Sequence, residues 1–318
     1  MTDQTVKYDL SKAVGYEYSD TPVSWTRRDL LLYAAGIGAK KDDFAFIYEL
    51  DKAFAAFPTY PVVLYFKGTS HDVVDFVKLS AGGKDVPPGL PKFDPNRVVH
   101  GQQSLETYKQ IPVDSGEGWK LKRKVIGVHE NKSGIIIDSE AILVDPHGTP
   151  YCRMTSSGFN VGAKAMGKFS KAIGQGPVAK PIPKDRKPDY VVTEATSEEQ
   201  AIIYRLSGDY NALHIDPTIG QRAGFGGVIL HGLSTYGFAA RAVLKAVGGG
   251  DPSSLKTIGV RFTSPVKPGE ALETSMWEVG NDPDGTTEIA FVTKNVATGK
   301  VCLGGGVAFV QKFNKAKL

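Results

Sequence analysis

Cysteine is scarce. Cys152 and Cys302 are the only two in 318 residues, too few for a disulfide framework, and such usage favours a reducing compartment. Charge of one sign is lacking too: the formal net charge is only +4, spread along the chain, which argues against nucleic acid as a partner. No apolar run reaches transmembrane length, and the N-terminal MTDQTVKYDL has no signal-peptide core. A soluble protein with no membrane insertion is therefore expected. The six histidines, at 71, 100, 129, 147, 214 and 231, form neither an H-E-x-x-H pattern nor a closely spaced Cys/His set, so no metal is expected. There is no G-x-S-x-G elbow and no Walker sequence, and GIGAKK at 36–41 lacks the third glycine and preceding strand of a dinucleotide site.

What is present concentrates in one stretch, Tyr204 to Val247. Its first part packs Asp209, Asn211, His214 and Asp216 into eight residues. From Gly232 onward, Leu233, Tyr236, Phe238, Ala239, Ala240, Val243, Leu244 and Val247 follow a helical apolar period. On a regular helix, residues five apart lie roughly 140° apart, so Asp209 and His214 share a site only if the segment bends between them. Ser207, Gly208, Asp209 and Asn211 favour caps and turns, and Pro217 limits helix continuation. A carboxylate beside an imidazole makes an acid/base pair for near-neutral pH. The helix beginning at Gly232 offers free N–H groups and a positive dipole end, which suit an oxyanion. Taken alone, such an Asp/His pair is more often a cap and a surface histidine. The density of polar residues and the ILHG turn before an apolar helix favour the functional reading.

The rest of the chain divides around this stretch. Its length and its 41% hydrophobic content suit two domains. TRRDLLLYAAG at 26–36 predicts an amphipathic helix opening at Thr26. Residues 98–110 (VVHGQQSLETYKQ) echo 228–240 (VILHGLSTYGFAA), with His100-Gly101 matching His231-Gly232. That match predicts a helix after an HG turn in both halves. Downstream, 141–159 echoes 290–309, each reading as two strands joined by a glycine turn with a cysteine after it. Further strands are expected at 256–262, 271–279, 288–295 and 301–311. Residues 160–189, rich in Lys, Gly and Pro, predict a linker between a domain at 1–159 and another at 190–318. Its basic residues read as a solvated face. No S-G-D-x-N-x-x-H segment precedes the first HG, so the chemistry belongs to the second half.

SGDYNALHIDP followed by GFGGVILHGLSTYGFAAR resembles the hydratase 2 motif of the MaoC-like enoyl-CoA hydratases, as found in the hydratase part of peroxisomal multifunctional enzymes. The similarity runs through both halves, roughly residues 15–312, and departs at Ala212, where the family pattern has proline. The resemblance implies an α+β, double hot-dog fold: two tandem domains, each an antiparallel sheet wrapped around a central helix. It implies (R)-specific hydration of trans-2-enoyl-CoA to (3R)-3-hydroxyacyl-CoA in fatty-acid β-oxidation. Asp209 and His214 would then hold water and move protons, Asn211 would orient them, and the Gly232 N–H would bind the thioester oxygen. The first half would make room for the acyl chain. Substrate contacts carried over by the motif are His100, Gly101, Lys132 and Phe262, and Glu49 of the Tyr48-Glu49 pair supports the site. No cofactor is implied beyond the CoA of the substrate, whose phosphates would meet basic residues. A homodimer is expected. Ala316-Lys317-Leu318 resembles the Ser-Lys-Leu address read by the peroxisomal import receptor. A hot-dog thioesterase and a non-catalytic acyl-CoA-binding protein stay open as alternatives.

Overall fold

In the computed structural model, which describes residues 8–76, 78 and 85–313, the longest helix of each half precedes that half's four long strands. The first, α1 (Arg27–Gly36), starts where Asp29 folds back to accept the Thr26 N–H at 2.8 Å, an N-terminal stop of the capping-box kind. Two single turns follow, α2 (Phe44–Ile47) and α3 (Leu64–Lys67). In the second half α4 (Gln200–Arg205) and α5 (Pro217–Arg222) lead to α6 (Gly232–Ala246). Pro217, read from sequence as a stop, instead opens α5 at a position where its missing N–H costs nothing. Every residue of α6 from Leu233 to Leu244 is buried, as a helix apolar on all sides requires. Its Arg241 is held by Asp43 at 2.7 Å and Glu194 at 2.9 Å, which pairs a charge that burial would otherwise penalise.

Among the described residues, eleven strands form one sheet. They are β1 (Thr21–Pro22), β2 (Val98–Thr107), β3 (Lys120–Asn131), β4 (Gly134–Val144), β5 (Pro150–Val161), β6 (Phe169–Ala172), β7 (Tyr190–Ala195), β8 (Leu255–Phe262), β9 (Ala271–Asn281), β10 (Thr287–Asn295) and β11 (Val301–Val310). The spatial order is β1-β3-β4-β5-β2-β8-β11-β10-β9-β7, with β6 on β3. The halves therefore meet at one antiparallel ladder, β2 on β8, from Gln102↔Arg261 to Glu106↔Thr257. Their helices meet there as well. The last carbonyls of α1 accept from Gln200 Nε2 (Ala35 at 3.0 Å, Gly36 at 2.8 Å) and from Ser234 Oγ (Gly36 at 2.8 Å). These second-half side chains thus satisfy carbonyls a helix end leaves open. A Cβ at Gly237 would sit 2.2 Å from Ile37, so this close approach requires glycine.

Two sequence expectations change. Residues 98–107 are strand β2, and His100-Gly101 lies at a bulge in its pairing with β5. No helix follows it. The physical reason is the period: after Gly232 the apolar residues recur at helical spacing, whereas after Gly101 only Leu105 and Tyr108 are large and apolar. By order along the chain α1 matches α4, with Tyr33 against Tyr204, α3 stands where α6 stands in the second half, and β2–β5 correspond to β8–β11, with Cys152 and Cys302 on matching strands β5 and β11. The 160–189 stretch is not a free spacer either. Strand β6 pairs with β3, and the following turn straps the seam, Gly176 against Ser104 and Thr155, and Pro177 against Gly259. Lys180 pairs with Glu288, and Arg186 reaches Asp189 and the Glu278 carbonyl. The terminal tripeptide lies outside the described residues.

Candidate active site

Asp209, His214 and His231 converge between α4 and the start of α6, with one ligand-type atom of each within 4.8 Å of the others. The bend demanded by the spacing is real. Gly208 turns with φ +126° and packs on Lys67 so closely that a Cβ would lie 2.8 Å from the Lys67 nitrogen. A 3-10 turn, Ala212–His214, then carries the histidine back toward the aspartate. Asn211 caps that turn, its Oδ1 accepting the Leu213 N–H at 3.0 Å, and its own backbone N–H donates to Asp209 Oδ1 at 3.2 Å. So Asn211 orients the carboxylate through its backbone. Ala212 opens the turn, a first position that proline would fit equally well.

Hydrogen bonds fix the imidazoles. His214 Nδ1 donates to the Ile229 carbonyl at 2.9 Å, which leaves Nε2 as its lone-pair nitrogen. His231 Nε2 donates to the Asp209 carbonyl at 3.1 Å. Its Nδ1 is buried with no partner among the described residues. The two rings stack, centroids 3.7 Å apart and planes at 29°, and Tyr204 backs His231 at 4.9 Å. Burial pushes Asp209 up from the usual carboxylate range, against the charge of His214 and the Asn211 N–H. Burial likewise pushes His214 down, against the charge of Asp209. The two are thereby drawn toward one another, which suits a pair that exchanges one proton. His231 is pushed further down by burial and by His214, so it is a neutral prop.

Among the described residues the N–H groups of Gly232 and Leu233, which open α6, take no backbone acceptor, so the positive helix end directly after His231 is left open. A Cβ at Gly232 would meet the Phe262 ring at 3.2 Å, and that ring packs on His100 at 4.8 Å. Two of the residues expected near substrate, His100 and Phe262, thus gather beside Gly232, with Gly101 next to His100 on β2. From His100 and Leu233 a cavity of about 280 Å³ opens between α3 and strands β2–β5 of the first half. Burial pushes His100 down to about 4. Two expected residues do not join this group. Glu49 is exposed after α2 and makes no hydrogen bond to the trio among the described residues. Lys132 is exposed at the β3–β4 turn, its carbonyl taken by Lys164, and β5 stands between that hairpin and β2. Sequence reasoning assigns no role to His231 of the ILHG turn. The available signal was a histidine directly after two large apolar residues and before a buried helix, where a polar side chain must find a partner.

Comparison with known proteins gives a consistent picture. A family model described as the MaoC like domain matches residues 179–301, and one described as the MFE-2 hydratase 2 N-terminal domain matches residues 23–162. A probable enoyl-CoA hydratase 2 of Dictyostelium discoideum is 36% identical, over 98% of this chain and 99% of that one. The peroxisomal multifunctional enzyme type 2 of Mus musculus is 37% identical over 92% of this chain, which spans only 37% of it. The crystal structure of a MaoC-like dehydratase from Phytophthora capsici superposes with a TM-score of 0.84 at 38% identity, covering 97% of this chain and 99% of that one. For the fold alone, a Mycobacterium tuberculosis protein with a double hotdog fold matches with a TM-score of 0.57 at 13% identity, over 95% and 97% of the two chains.

Proposed function

The chain belongs to the MaoC-like hydratase 2 family, and from that premise we propose that it hydrates trans-2-enoyl-CoA to (3R)-3-hydroxyacyl-CoA within fatty-acid β-oxidation. The observation that carries this reading is the Asp209/His214 pair, buried and bent together beside the free N–H groups that open α6. Hydration needs those parts and little else. As a water oxygen bonds to C3, the C2–C3 π electrons move toward C2 and the thioester oxygen. The pair takes one proton from the water and returns one to C2, so atoms and charge balance. The Gly232 N–H stabilises the thioester oxygen as it gains charge, a donor worth roughly 3–4 kcal/mol in the transition state. His231 holds the Asp209 backbone and the His214 ring in place. Because every group comes from one bent segment and the helix after it, water meets one face of the alkene.

Chiral analysis of the product from trans-2-enoyl-CoA tests the proposal. The 3R alcohol is expected, and recovery of the 3S alcohol would sink it. Release of free thiol without loss of the enoyl absorbance would favour the thioesterase reading, and binding without turnover the carrier. The first-half cavity beside His100 receives the acyl tail in this reading, while exposed basic residues serve the CoA phosphates. We place the enzyme in the peroxisome, supported by the peroxisomal relative and by Ala316-Lys317-Leu318. A fluorescent fusion carrying that tripeptide should enter the organelle, and one lacking it should stay in the cytosol. The expected homodimer belongs to the same proposal and is decided by sedimentation velocity.

A further inference from the structure

The cavity beside His100 and Leu233 changes character along its length. At the near end it is walled by His100 and Leu233. Its floor is a cross-strand row running Met154, Ala141, Arg123 over β5, β4 and β3, which continues the register from Leu105 of β2. Three strand spacings of about 4.8 Å put Arg123 roughly 14 Å from β2. Arg123 is clamped face-on between Tyr18 and Tyr65, its guanidinium carbon 4.5 and 4.6 Å from their ring centres. Its Nε donates to Thr21 Oγ1 at 3.2 Å. Its two terminal nitrogens find no protein acceptor among the described residues. The nearby carboxylates are spoken for: Glu140 takes Arg153 Nε at 2.6 Å, and Asp85 takes the Tyr16 hydroxyl and the Ser19 N–H.

A plain alkyl end delivered here would press on a guanidinium and strip its remaining N–H groups of water without replacing the bonds, which costs free energy. An anionic end reverses that sign. The planar fork of arginine matches a carboxylate through two parallel bonds, and the two tyrosine rings hold that fork in place beforehand. We infer that this hydratase takes enoyl-CoA substrates whose acyl tail ends in a carboxylate, the mono-CoA thioesters of α,ω-dicarboxylic acids, with Arg123 as the residue that reads the far end. The inference rests on the hydratase reading and deepens it by naming a substrate class.

The test is a matched pair of substrates for the native chain: trans-2-decenoyl-CoA and its ω-carboxyl counterpart, with shorter and longer members of both series. The ratio of kcat/KM for ω-carboxyl over ω-methyl should exceed one where the tail reaches Arg123 and fall away at shorter lengths. Arg123→Gln should lower that ratio by about 10- to 100-fold, the usual span for losing a charge-assisted hydrogen-bonded pair, and Arg123→Lys should restore part of it. A native preference for the ω-methyl tail at every length would overturn the inference while leaving the hydratase reading intact. So would an Arg123→Gln variant that loses both substrates equally, since the residue would then serve the CoA end or the fold. Turnover of neither substrate by the native chain would overturn the hydratase reading and this inference with it. The native length profile needs no variant, so the inference stays testable even if substitution at Arg123 unfolds the chain.

Discussion

Replacing Gly208 by alanine should disable the enzyme without touching a reacting group. Two costs add at this position. The backbone φ of +126° lies where side chains are strained, a penalty of roughly 1–2 kcal/mol for left-handed backbone. The new Cβ would also stand 2.8 Å from the Lys67 nitrogen and 2.9 Å from its Cα, against ordinary contacts of about 3.5–4.0 Å. Lys67 cannot give way easily. Its Nζ donates to the Ser24 and Ser70 carbonyls at 2.8 and 2.9 Å and pairs with Asp29 at 3.5 Å. The loop carrying Asp209 must therefore retreat by the better part of an ångström, and a displacement of that size costs about 10²-fold in rate. Gly208→Ala should lower kcat on crotonyl-CoA by about that factor and reduce Tm, with total destabilisation of roughly 2–4 kcal/mol. Gly148→Ala is the control: φ is +85° with nothing within 4 Å, so it pays the backbone penalty alone and keeps native kcat. Native kcat and Tm in Gly208→Ala would refute the claim that this contact positions the aspartate.

Asp209→Asn and His214→Ala should each cut kcat by about 10² or more while circular dichroism stays native; normal turnover in either removes that residue from the mechanism. His100→Ala should raise KM for long acyl chains and spare kcat on crotonyl-CoA, the mark of lost uniform binding, and abolished kcat on that substrate would mean both halves share the chemistry. Stability should fall on acidification. Burial lowers the folded pKa of His214, His231 and His100, so below about 6.5 the unfolded chain takes up protons that the native chain does not, and stability is lost progressively, for His100 down to about pH 4. Asp209, raised by burial, acts in the opposite sense but is one group against three. A Tm that holds or rises from pH 7 to 5 would contradict this balance.

Much of the architecture could be read from the chain. Helix α6 and strands β8–β11 follow from apolar periods that their burial enforces, and Thr26 and Gly36 mark the limits of α1. The Asp209/His214 pair was legible because five residues of spacing and a run of turn formers leave few other arrangements. The first-half HG was misread because a matching dipeptide was weighed above the period after it. The 160–189 strap looked like a spacer because composition cannot show that Gly176 and Pro177 lock onto the sheet. His231 went without a role because its partner is a backbone carbonyl, which no side-chain pattern announces. The Gly208–Lys67 contact and the Leu105–Met154–Ala141–Arg123 row were out of reach for a similar reason. Each is assembled from segments far apart in the chain, which only the tertiary fold brings together.

The ladder between β2 and β8 also bears on how the chain is made. While the first half emerges from the ribosome, β2 has one neighbour, β5, and its other edge presents unpaired N–H and C=O groups until β8 has been synthesised. Such an edge is a template for pairing with the wrong chain, and closing so long a loop is slow. The nascent first half should therefore be prone to mispairing until β8 is made. Once β8 docks, the joined sheet should melt in one transition, because neither half can leave the other without reopening that edge.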